Sequence, residues 1–176
     1  WRCALAAFLA DNGHRERAMR ELGWIARDGF SNLPPDMHWL LCTALLAEAC
    51  GVLADPGWSS IVYRELEPYR NHLVVFGYGV GSWGSVSRSL GILATTMSRW
   101  PEAERHFQNA IAQEKRSGAR PWFAWTLLAY ARMLVLQGRI SDRDRAAELA
   151  NAAREIGEEL GMRKLRHDAS ELLTRG

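Results

Sequence analysis

Lysine is almost missing from this chain. Only Lys115 and Lys164 occur among 22 basic residues, the rest being arginine, and 20 acidic residues leave a formal net charge of +2. A nucleic-acid footprint needs surplus basic groups gathered on one face, so this balance argues against direct nucleic-acid binding. Cysteine is scarce and unpatterned: Cys3, Cys42 and Cys50 are an odd number without a CxxC pair. Cys42 and Cys50 stand two helical turns apart, too far to be bridged. Reduced core thiols and a cytoplasmic location are therefore expected. No apolar run approaches the ~20 residues that cross a membrane, and no signal peptide opens the chain. It starts inside a helix-like segment at Trp1, without an initiator methionine, and reads as a fragment of something longer. No segment sustains the two-residue alternation of a half-buried strand.

What is present is a 3.6-residue apolar period. The 176 residues fit one domain, with 48% hydrophobic residues for a core and an ordinary 24% charged. The period predicts helices over roughly 1–11, 14–28, 36–54, 57–69, 83–99, 101–117, 121–137, 142–160 and 162–174. Short breaker-rich separators divide them, such as Asn12-Gly13, the stretch 29–35 and Asp55-Pro56-Gly57. Asp36 and Ser141 are expected N-caps, with Pro101 and Pro121 in first turns. The run Leu73-Val74-Val75-Phe76 could pass for a strand. With no partner strand in the pattern, 70–82 reads as an extended or irregular connector.

An internal repeat organises the helices. A small residue suited to close packing recurs at Ala6, Ala47, Gly91 and Ala131, spaced by 41, 44 and 40 residues. Twelve positions later stand Ala18, Ser59 and Ala103; in the fourth unit, after a longer turn, Ala146 takes that place. Four and seven residues beyond follow Leu22 and Ile25, Tyr63 and Leu66, Phe107 and Ala110, then Ala150 and Ala153. Two helices approach closely only where one side of the crossing is small, and each such pair needs neighbours to bury its remaining apolar surface. The expected fold is all-α, a right-handed superhelix of about four antiparallel helix hairpins in one repeat domain. Its units span about 1–35, 36–82, 83–120 and 121–161, with a capping helix over 162–176.

In the third unit, Leu90-Gly91, Ala103, Phe107 and Ala110 resemble a tetratricopeptide repeat stretched to about 40–44 residues. The resemblance extends through Leu46-Ala47-Glu48, Tyr63 to Tyr69, Val74-Val75, Gly84-Ser85-Val86, Gly118-Ala119-Arg120-Pro121-Trp122 and Leu160-Gly161-Met162. This order is similar to the C-terminal helical-repeat region of large bacterial signalling ATPases, which carry a nucleotidyl cyclase domain or a LuxR-type DNA-binding domain. The resemblance implies a sensor or interaction arm that restrains the ATPase. It carries over no nucleotide chemistry, because the motifs for that chemistry are absent from these residues.

The remaining constellations are weighed against plainer roles. Gly77-Tyr78-Gly79-Val80-Gly81 lacks the lysine of a phosphate loop and reads as a hinge at Gly77, Gly79 and Gly81 between the second and third hairpins. The five histidines, His14, His38, His72, His106 and His167, form no i,i+3 or i,i+4 pair, so no metal site is expected. Neither a catalytic arrangement nor a cofactor motif is found.

Eight tryptophans are many. Trp24 and Trp100 read as packing. Trp39, Trp83, Trp122 and Trp125 lie in or before first helices, which line the inner wall of a stack. Packing remains the commoner role for any one of them. As a set, Glu48, Trp83, Arg88, Trp122, Trp125 and Arg132 form the expected partner-binding face, since aromatic and arginine side chains dominate binding hot spots. On this reading Arg88→Ala and Trp125→Ala weaken partner binding without unfolding the chain. The partner would be a protein segment, including the parent chain's own ATPase domain. A small effector near Trp83, Arg88 and Trp125 is the alternative, and an enzyme the least supported.

Overall fold

The computed structural model describes residues 1–27, 33, 36 and 38–175. Among these the chain is mostly helical, as its apolar period dictates. It runs α1 (Arg2–Asp11), α2 (Arg15–Ile25), α3 (Trp39–Leu53), α4 (Pro56–Leu66), β1 (Leu73–Phe76), β2 (Gly81–Ser85), α5 (Val86–Thr96), α6 (Trp100–Ser117), α7 (Arg120–Gln137), α8 (Arg143–Glu159) and α9 (Arg163–Arg175). The expected separator at 29–35 lies outside the described residues, apart from Leu33. No helix among the described residues is long and apolar enough to cross a membrane.

The repeated small positions sit where close packing needs them. Ala6, Ala47, Gly91 and Ala131 on α1, α3, α5 and α7 are all buried, as are Ala18, Ser59, Ala103 and Ala146 on α2, α4, α6 and α8. The large residues one turn on fill the space beside them: Leu22, Leu66 and Phe107 are fully buried, and Tyr63 is half-buried. The helices of each unit touch. They run antiparallel in the first and fourth: Arg2 at the start of α1 pairs with Glu21 late in α2, and Arg120 at the start of α7 with Glu159 at the end of α8. The odd-numbered helices α1, α3, α5, α7 and α9 also touch in order, while α4 and α6 lie against α5 and α7. Lys164 of α9 reaches Asp11 at the end of α1, 3.2 Å away, and so brings the last helix to the first.

The connector at 70–82 is corrected by the structure. Leu73–Phe76 does find a partner: it pairs antiparallel with Gly81–Ser85, Phe76 opposite Gly81 and Val75 opposite Ser82. That partner is mostly glycine and serine, residues with little strand propensity, so its pattern is silent in the sequence. Gly77 and Gly79 form the turn with φ of +60° and +91°, and Tyr78 between them also adopts a left-handed φ of 56°. Gly81 is required for a different reason. A Cβ there would stand 2.3 Å from the Phe76 ring. The three glycines assigned to a hinge thus build a hairpin.

Three helix starts also differ. The strand β2 takes residues 81–85, so α5 begins at Val86 rather than at 83, with Ser85 as its N-cap accepting the Arg88 N–H at 3.1 Å. Neither Asp36 nor Ser141 is an N-cap. Asp36 accepts the backbone N–H of His38 at 2.8 Å, two residues before the true cap position, and Ser141 lies inside a 3-10 turn ahead of α8. Pro101 and Pro121 do occupy first turns.

Candidate functional site

The centre of the molecule is polar where a helical stack would ordinarily be apolar. Arg88 projects from the first turn of α5 and is only 4% exposed. An isolated buried guanidinium costs several kcal/mol. Here the charge is compensated by Glu48 of α3, to which Arg88 is hydrogen-bonded as an ion pair. The Glu48 side chain keeps 29% of its surface, so the carboxylate is the exposed end of the pair. The guanidinium also lies 5.2 Å from the centre of the Trp122 ring, within cation–π range.

Trp122, in the first turn of α7, is fixed from two sides. Its indole N–H donates to the Ser82 carbonyl of β2 at 2.7 Å, and its ring meets that of Trp83 at 4.8 Å with a 42° tilt. Between these groups the backbone passes at Gly84, whose φ is +81°. A Cβ there would stand 3.0 Å from Glu114 Oε1 and 3.1 Å from Trp122 Cβ. The β-hairpin therefore locks the start of α7 to the start of α5.

Glu114 of α6 completes the cluster. It is buried, its Oε1 accepting the Ser85 N–H at 3.1 Å. Burial pushes its carboxyl above the usual carboxylate range, partly opposed by the Thr126 hydroxyl, the Ser85 amide and the Arg88 charge. Glu114 Oε2, Arg88 Nε and Trp83 Nε1 are all buried without a hydrogen-bond partner. The cluster thus fixes the mutual placement of α3, α5 and α7 while retaining polar capacity at its heart.

Four of the six residues expected on the binding face, Glu48, Trp83, Arg88 and Trp122, meet in this cluster. The other two do not. Arg132 of α7 is exposed and pairs with Asp168 of α9 at 2.9 Å. Trp125 is half-buried among the α7–α9 apolar contacts. Comparison with known proteins finds no matching family model, curated protein or solved structure. Glu114 is not among the residues expected from the sequence, yet its signal is present. It continues the stripe Ala103, Phe107, Ala110 at the next helical position, a carboxylate where the face calls for an apolar side chain.

A second buried polar group lies between α4 and α6. The Tyr63 hydroxyl and His106 Nε2 are 2.9 Å apart, and burial lowers the His106 pKa to about 4. Among the described residues no three His, Cys, Asp or Glu side chains stand together as metal ligands. The thiols of Cys3 on α1 and Cys42 on α3 interact, which lowers Cys42 to about 7 and pushes Cys3 up.

Proposed function

We propose that the chain is a non-catalytic interaction module, a right-handed tetratricopeptide-like stack that holds a protein segment along its odd-numbered helices. The observation that carries this reading is the ordered contact of α1, α3, α5 and α7. By repeat register they share one wall, on which half-buried Glu48, Ile92 and Thr95 alternate with exposed Val52, Arg132, Val135 and Leu136. Leu136 is 67% exposed. Large apolar side chains exposed beside charges are what a partner surface offers. The Arg88 cluster acts as the frame of the wall, and Glu48 is its charged group in reach of a partner. Together with the resemblance in residue order, this supports a regulatory arm of a bacterial signalling or transcription-regulating ATPase.

The test is a peptide selected from a displayed library against this chain. Its affinity should fall about tenfold or more in Leu136→Asp and in Arg132→Glu. An unchanged affinity in both variants would place the partner elsewhere.

A further inference from the structure

A cavity of about 220 Å³ opens between the end of α7, the start of α8 and the last turns of α9. Its floor is hydrocarbon, formed by Leu134, Ala150, Leu172 and Leu173. Two arginines, Arg139 and Arg143, line it as well. Neither makes an ion pair among the described residues, although ten other arginine and lysine contacts with acids do form. Arg139 meets the side-chain oxygen of Gln137 at 3.1 and 3.2 Å, and its charge also helps hold the Glu104 carboxyl low without an ion-pair contact. The one acid in the lining, Asp142, is met by the Ser141 hydroxyl and leaves a cationic excess.

We infer that this cavity binds a medium-chain acyl carboxylate, its tail on the leucine floor and its carboxylate between Arg139 and Arg143. The two halves of the lining call for one molecule with both characters. A neutral apolar ligand would leave two guanidinium groups half-desolvated beside it, and a small anion would leave the apolar floor wet. Planar guanidinium groups match a carboxylate in geometry as well as in charge. The volume lies below the ~300 Å³ at which drug-sized pockets begin, which selects a single short chain over a bulky ligand. The site borders the wall of the odd-numbered helices at Val135, and its polar groups, Arg139 and Arg143, lie beyond the residues assigned to that wall.

Octanoate, octanol and acetate, each below any micellar concentration, are titrated into the whole chain by calorimetry with parallel thermal melts. Octanoate should bind one-to-one and raise Tm, because it binds the native form alone. Octanol and acetate should each bind at least about tenfold more weakly. The double variant R139Q/R143Q, altered only at exposed positions, should lose octanoate binding by a similar factor, and Ala147→Phe should block the cavity. If Ala147→Phe fails to fold, the double variant still decides the matter. Octanoate binding no tighter than octanol, or undiminished in R139Q/R143Q, would overturn the assignment. So would tighter capture of a peptide ending in a free leucine carboxylate.

Discussion

The ring of Phe107 lies directly on the backbone of Gly91, so closely that a Cβ on Gly91 would stand 2.7 Å from it. This contact between α5 and α6 shows why the third unit has glycine where the other units have alanine. Gly91→Ala must either shift the ring or part the helices. It is expected to destabilise the chain by about 1–3 kcal/mol despite its better helix propensity. Phe107→Leu in the same background should recover part of that loss. Urea unfolding of the unaltered chain and the two variants measures both effects.

The Glu48–Arg88 pair is unequal, and substitutions should reveal it. Arg88 is deeply buried, whereas the Glu48 carboxylate has access to water. Glu48→Ala strands a buried guanidinium and should cost about 3–5 kcal/mol. Arg88→Met should cost less, because Glu48 can turn outward. The double variant E48L/R88M should be the least damaged of the three, since an apolar pair of similar volume replaces a desolvated ion pair. The free energies come from denaturant melts. A larger loss from Arg88→Met than from Glu48→Ala would contradict the assigned geometry. The burial also changes what Arg88 can do for a partner: its effect has to pass through Glu48 and Trp122.

Two buried groups give pH dependences of opposite sign. The folded pKa of His106, about 4, lies below the value of ~6.5 in an unfolded chain. Its contribution is therefore complete above pH ~6.5 and lost as pH falls towards 4, by roughly 3 kcal/mol across that window. His106→Gln should flatten this acid limb. Glu114 is raised on folding, so its contribution is present below its unfolded pKa and is lost as pH rises through the folded value. Glu114→Gln keeps the acceptor for the Ser85 N–H. It should raise Tm at neutral pH and show no gain at pH 4. Thermal melts from pH 4 to 8 separate the two.

The three thiols differ in reactivity. Cys42 is half-buried and its pKa is lowered to about 7 by the Cys3 thiol, while burial raises Cys50 to about 12. The thiolate is the nucleophile, so iodoacetamide at neutral pH should label Cys42 first. Cys50 should react only when the chain unfolds. Mass spectrometry of the time course reads the order directly.

Much of this fold is legible in the sequence because the helical period and the recurrence of small residues carry the same information twice. Ala6, Ala47, Gly91 and Ala131 mark close crossings by their size alone, and all are buried. The β-hairpin is illegible for an equally physical reason. Its second strand, Gly81-Ser82-Trp83-Gly84-Ser85, is chosen for close approach to Phe76, Glu114 and Trp122, and those constraints come from other elements. The central cluster is legible only in part. Arginine and tryptophan at first-helix positions drew attention to Arg88 and Trp122, but their partner Glu114 sits on a second helix. Register placed Trp125 and Arg132 on the same wall; α9, packed against α7, covers part of it and takes Arg132 into a pair with Asp168.

The measurement that bears most directly on the interaction-module reading is hydrogen exchange of the chain with and without a library-selected peptide. The account predicts new protection along α3, α5 and α7 around Glu48, Ile92 and Leu136, with the even-numbered helices unchanged. Protection confined to the even-numbered helices, or to the tip of the β-hairpin, would contradict it.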